Sequence, residues 1–167
     1  LTFARPDGTV VRSFTSRTED DKDPAAELRA PAEPGWNRFV WDLMWAPTTK
    51  IDGSGESFEG PFVAPGTYTV TLKVGDETLT QDLTVVKPAN RPASQADLDA
   101  QEALLLKIHR QLDRTVGGIN RMRDLRVQLD DRATRAEKQN ATDDLVTSVK
   151  GLRDEVLEIE KELNVPD

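Results

Sequence analysis

An α+β chain, all-β first and all-α second, is predicted from the residues. It consists of an immunoglobulin/fibronectin-III-like antiparallel β-sandwich over residues 1–87, a linker over 88–93 and a long antiparallel two-helix hairpin over 94–167. Three observations lead there. Tyr68, Val70, Leu72 and Val74 alternate with Thr67, Thr69, Thr71 and Lys73, and after a Gly75-Asp76 turn Leu79, Leu83 and Val85 alternate with Thr78, Thr80, Asp82 and Thr84. Such period-two patterning describes a hairpin with one buried and one wet face, Gln81 being the exception. Leu145, Val149, Leu152, Val156, Ile159 and Leu163 instead step by fours and threes, as a helical seam does. Between the two patterns, Pro88 and Pro92 bracket a polar stretch that suits a linker.

The remaining elements follow in chain order. Leu1-Thr2-Phe3 reads as a strand, Asp7-Gly8 as a tight turn and Thr9–Thr15 as a second strand carrying Val10, Val11 and Phe14. Residues 16–24 form a charged loop, and a short strand is expected around Glu27–Ala30. Trp36–Leu43 is rich in strand-formers, with Phe39, Trp41 and Leu43 on one face, and Ala46–Ala64 is a long loop. About seven short strands in the first part of the chain is the sandwich signature. Ser94 and Asp97 are spaced as a capping box. Beyond them the apolar stripe runs through 98, 105, 108, 112, 116, 119, 122, 125 and 129. Thr142 is the expected cap of the second helix, and Asn164-Val165-Pro166 its stop. The two seams bury one another most simply as an antiparallel hairpin, which still needs a third surface. The stripes also offer a route to self-association.

Composition narrows the function. The net charge is −8, with 37% apolar and 31% charged residues among 167. Residues 1–93 carry 10 basic and 14 acidic side chains and residues 94–167 carry 12 and 16. Neither half is a basic arm, which argues against nucleic acid as a partner. There is no cysteine, hence no disulfide and no thiolate metal site. No apolar run reaches the length of a membrane span. The chain opens with Leu-Thr-Phe inside a strand and shows no signal peptide. The expectation is a piece excised from a longer protein, with any targeting sequence upstream.

Three segments carry a resemblance: Gly35-Trp36-Asn37-Arg38-Phe39-Val40-Trp41-Asp42-Leu43, Gly60-Pro61-Phe62-Val63-Ala64-Pro65-Gly66-Thr67-Tyr68-Thr69-Val70, and Ser94-Gln95-Ala96-Asp97-Leu98 opening a long helix. Together they resemble the C-terminal region of bacterial sortilin-like, BNR-repeat propeller proteins labelled as glycosyl hydrolases. There an immunoglobulin-like domain of the flagellar hook-capping type and then helices follow the propeller. The resemblance spans Leu1 to Leu163. Its signature residues here are Asn37, Arg38, Trp41, Asp42, Gly66 and Tyr68. Lys87–Arg91 departs from the family's usual Asp-Pro-Arg linker, and the family usually continues into further helix. The resemblance implies a non-catalytic accessory module, an upstream propeller as partner, no cofactor, and an extracellular, periplasmic or cell-envelope location. Any glycosidase activity would belong to the propeller.

Two other readings stand beside this one. In a carbohydrate-binding module, Trp36 and Trp45 would be exposed platforms for sugar rings, while Trp41 and Phe39 fill the core. In a hydrolase, Asp42 would be one of two carboxylates. The resemblance makes Asp42 structural instead, bonding a neighbouring loop backbone. His109 is the only histidine and sits at the edge of the first helical stripe, so it builds neither a triad nor a His-rich metal site. Asp52-Gly53-Ser54-Gly55-Glu56 and Glu19–Asp23 offer oxygen ligands without EF-hand spacing, and both read as solvated loops. Gly117-Gly118 lies mid-helix, where it admits a close approach or a kink.

Overall fold

A computed structural model describes residues 1–16, 29–139 and 142–163. The expected strand at Glu27–Ala30 lies in part, and the acidic run Glu19–Asp23 and the stop Asn164-Val165-Pro166 lie wholly, outside the described residues. The elements are β1 (Thr2–Ala4), β2 (Val10–Ser13), β3 (Gly66–Val74), β4 (Glu77–Val85), α1 (Gln95–Lys138) and α2 (Asp143–Leu163). The class is α+β: a four-stranded antiparallel sheet in the order β2-β1-β3-β4, and two helices.

The chain divides into two compact units. One comprises residues 1–47 and 59–107, the other residues 48–58 and 108–167. The division falls inside α1, after Lys107, and not at the proline-bracketed linker. Local bonds within each unit account for this. In the sheet unit, the Gln95 side chain at the start of α1 donates to the carbonyl of Pro65. In the helical unit, Ile51 of the long loop is buried with Val116 and Ile119 of α1.

In the sheet unit, Asp7-Gly8 turns the chain as its composition dictates. Gly8 sits at a φ of 84°, and the Asp7 carboxylate accepts from the amide of Thr9 at 2.8 Å. β3 and β4 pair in unbroken register from Gly66↔Val85 to Val74↔Glu77. The core is aromatic. Phe3 stacks on Trp41 with ring centroids 4.3 Å apart, Phe14 packs edge-on to Phe3 at 5.8 Å, and Tyr68 meets Trp41 edge-on at 5.7 Å.

The segment expected as a strand from Trp36 to Leu43 is irregular. Trp41 is buried and Phe39 packs on the core, as the alternation foretells, but Leu43 turns outward. Leu43 holds a φ of 62°, a left-handed backbone uncommon for leucine. Asp42 favours it by accepting the amide of Met44 at 3.1 Å, a local side-chain turn that competes with strand pairing. Just beyond it Met44 forms an isolated bridge with Phe62. The close approach here explains Gly60: a Cβ there would collide with the backbone of Trp45 and Ala46. Four strands and two isolated bridges thus stand among the described residues where about seven strands were expected.

The β3–β4 hairpin departs from expectation in burial. Its apolar face covers the core only at the Tyr68 end, while Leu72, Val74, Leu79 and Leu83 are exposed.

In the helical unit, Ile119, Leu129 and Ala133 of α1 and Val156 of α2 are buried. Of the six residues read as the α2 seam, two face inward. Val149 and Val156 turn inward, whereas Leu145, Leu152, Ile159 and Leu163 are exposed. Val146, Arg153 and Leu157 are half-buried beside them, and Glu160 is buried. The capping box forms as read: Asp97 Oδ2 accepts from the Ser94 amide at 3.0 Å, and Ser94 Oγ accepts from the Asp97 amide at 3.2 Å. Thr142 precedes α2, its carbonyl accepting from the Leu145 amide at 3.0 Å.

Candidate interaction surfaces

Of the tryptophans proposed as platforms, the structure exposes one. Trp36 is 103% exposed. It rides on a turn that Asn37 ties down: Asn37 Nδ2 donates to the carbonyls of Glu33 at 2.8 Å and Gly35 at 3.1 Å, and its Oδ1 accepts from the Glu33 amide at 3.2 Å. Gly35, with a φ of 103°, supplies the backbone geometry that the turn requires.

Trp45 was expected to be exposed and is instead half-buried. Its indole N–H donates to Glu102 Oε1 at 2.6 Å, and the Arg5 guanidinium lies 5.2 Å from its ring centroid. Arg5 in turn donates to Glu102 Oε2 at 2.5 Å. Glu102 is 3% exposed, so a buried carboxylate gathers a cation and an indole from two other segments. No local pattern marks this cluster. Glu102 sits on α1 as one more acidic residue, 57 positions from Trp45 and 97 from Arg5.

The other signature residues are structural or neutral. Asp42 Oδ2 accepts from the buried Arg12 guanidinium at 2.9 Å while its Oδ1 holds the Met44 amide, so both oxygens are engaged. The Trp41 indole donates to the Met44 carbonyl at 3.2 Å. Arg38 is exposed. Gly66 opens β3, and nothing lies within 4 Å of where its Cβ would stand, so sterics do not demand glycine there.

Tyr68 is buried, and its hydroxyl donates to the carbonyl of Ala64, four residues back, at 2.6 Å. Burial, and then the charge of Glu102, push this phenol up from 10.0 to about 12. Because the folded value is the higher one, its contribution is intact below pH 10 and lost as the pH rises through about 12. Tyr68→Phe is therefore expected to cost about 1–2 kcal/mol at neutral pH and to flatten the alkaline limb of stability. Tryptophan-monitored urea titrations across that range would show a steeper alkaline fall in the parent chain than in the variant.

In the helical unit the loop residues 48–58 are fastened by side chains of α1. Asp113 Oδ1 accepts the Thr49 amide at 2.7 Å. Asn120 makes a two-way bond, accepting from the Asp52 amide at 3.0 Å and donating to the Lys50 carbonyl at 2.8 Å. Arg123 donates to the Asp52 carbonyl. The calcium-like loop Asp52–Glu56 thus faces a guanidinium, and no group of three or more metal-ligating side chains occurs among the described residues. His109 is half-buried, with its Nε2 out of contact with solvent. Nothing lies within 4 Å of a Cβ built on Gly117 or Gly118. No helix among the described residues is long and apolar enough to cross a membrane.

Arg123 and Arg126 converge on Glu160 of α2 at 2.6 and 2.7 Å. Burial by itself would raise the Glu160 carboxyl. The hydrogen bonds and charges of the two arginines outweigh that, and the carboxyl is held below its ordinary 4.5. A depressed carboxyl lends stability that is present above that value and lost as the pH falls below it. The helical signal at 222 nm is expected to melt earlier on acidification through this range. A Glu160→Gln variant would show a shallower acid dependence from a lower starting stability.

Comparison with protein-family models, with curated proteins and with solved structures finds no match to this chain.

Proposed function

We propose that the chain is a non-catalytic accessory module: an immunoglobulin-like β-domain followed by a helical hairpin, the C-terminal part of a secreted propeller protein. One observation carries the non-catalytic reading. The acidic side chains best placed for chemistry already serve as scaffold. Asp42 is held by Arg12 and the Met44 amide, Glu102 by Arg5 and the Trp45 indole, and Glu160 by two arginines. A general acid or nucleophile needs a carboxyl that can change its protonation or its partners. The immunoglobulin-like reading draws support from Tyr68, whose hydroxyl reaches back to a carbonyl four residues upstream as a tyrosine corner does, and from the buried Trp41. The test is turnover of aryl-glycosides by the purified chain alongside Asp42→Asn. No turnover by either protein is expected, with Asp42→Asn showing a loss of stability instead. Turnover abolished by Asp42→Asn would overturn the reading.

A second reading is favoured by Trp36. An indole fully in solvent on a turn tied by three hydrogen bonds is a preorganised stacking platform, which suits a sugar ring. Titration with soluble polysaccharides would then give a saturable change in tryptophan fluorescence that is lost in Trp36→Ala. A flat titration with every polysaccharide eliminates this reading.

A further inference from the structure

β4 is an outermost strand of the sheet, so among the described residues only one of its edges is paired. Its nine residues, Glu77–Val85, run in unbroken register with β3. They contain no proline, lysine or glycine, and no bulge twists them away. These are the devices by which natural edges avoid joining another strand. The apolar face beside this edge is also uncovered, Leu79 being 65% exposed. A long, regular edge whose charges are Glu77 and Asp82 calls for a strand, and the sequence of β4 indicates whose.

Glu-Thr-Leu-Thr-Gln-Asp-Leu-Thr-Val is nearly self-complementary about Gln81. If two copies of β4 pair antiparallel with Gln81 opposite Gln81, then Leu79 meets Leu83 of the second copy, Thr78 meets Thr84 and Thr80 meets Asp82. No charge faces a like charge. At each rim the acidic pair Asp76-Glu77 comes within a position or two of Lys87 of the second copy. Registers that keep each side chain on its own face must slip the centre by whole residues. A centre at Asp82 would oppose the two Asp82 carboxylates. A centre at Thr80 would set Leu79 against Gln81 and Leu83 against Glu77. Of these three centres, the one at Gln81 alone sets leucine against leucine and opposes no like charges. Leu72 pairs with Leu79 and Tyr68 with Leu83 inside each chain. The joined sheets therefore carry continuous rows Leu72, Leu79, Leu83, Tyr68 across the junction. Cross-strand pairs of this kind are the unit of sheet stabilisation.

The geometry points to a second copy of this chain as the partner of β4, in a twofold dimer whose two sheets join into one of eight strands about Gln81. This inference goes beyond the accessory reading and does not depend on it. It places self-association on the sheet edge and not on the helical stripes.

The absence of cysteine makes the test clean, because each single-cysteine variant of the whole chain reports one pair. Gln81→Cys would meet itself across the axis. Thr78→Cys would lie six positions, about 20 Å, from its own counterpart. That is well beyond the roughly 7 Å at which two cysteines can bridge. Thr84→Cys is equally remote, while the double Thr78→Cys/Thr84→Cys variant would bridge. All three positions are exposed, and circular dichroism of each variant confirms the fold. The expected result is a concentration-dependent mass rising from 18.6 kDa toward twice that value by sedimentation. Under mild oxidation the disulfide-linked dimer would form at least about tenfold faster in Gln81→Cys than in either threonine single. A chain that stays monomeric at every concentration overturns the proposal. So does a dimer whose three single-cysteine variants cross-link at equal rates, which would locate the contact elsewhere.

Discussion

Trp41→Ala is expected to lower the stability of the sheet unit by about 3–5 kcal/mol, the largest effect of any single truncation in that unit. The reason lies in how many partners one ring serves. Trp41 stacks on Phe3 at 4.3 Å, meets Tyr68 edge-on at 5.7 Å and closes the Asp42 turn through its bond to the Met44 carbonyl. Alanine removes the buried area, leaves a cavity between rings that come from separate segments, and strands that carbonyl. A small domain has a total stability of about 5–15 kcal/mol, so much of the population would unfold under mild denaturant. Urea unfolding followed by the emission of Trp36 and Trp45 would read this directly, since both remain in the sheet unit. A loss under about 1.5 kcal/mol would mean that the aromatic cluster relaxes to fill the gap.

Glu102→Ala should cost about 2–4 kcal/mol, and its logic is electrostatic. The Glu102 carboxylate is itself buried, and it is the acceptor for both the Trp45 indole and the Arg5 guanidinium. Removing it strands a half-buried donor and leaves a cation against an aromatic ring without this counter-charge. Arg5 is about one-third exposed and can recover some water, which holds the estimate below that for a fully buried pair. Glu102→Gln keeps an acceptor for the indole and loses the ion pair, so an intermediate loss is expected. Equal losses for the two variants would show that the charge, and not the hydrogen bond to Trp45, is what matters. A double-mutant cycle with Arg5→Ala would separate the terms.

By itself the sequence determined whatever depends on neighbours along the chain. The alternation of residues 67–85 and its turn specify the β3–β4 hairpin. The heptad steps and the Ser94–Asp97 spacing specify two helices and the cap of the first. Asp7-Gly8 specifies the first turn. Each rests on contacts within a few positions, where period and turn chemistry decide the outcome.

Tertiary structure decided the rest, because the deciding partners are far apart in sequence. Trp36 and Trp45 look alike as residues. One lies in solvent, and the other is half-buried against the core, with Arg5 over its ring and Glu102, 57 residues on, receiving its N–H. The strand-rich segment Trp36–Leu43 lost its regularity to a side-chain turn at Asp42, itself oriented by Arg12 thirty positions away. The loop 48–58, polar and open as a sequence, belongs with α1 because Asp113, Asn120 and Arg123 satisfy its backbone. Alternation foretold an apolar face along all of β3 and β4, yet it could not say how far the core extends beneath them. That extent is set by which aromatic rings the other segments bring there, and it leaves Leu72 and Leu79 exposed.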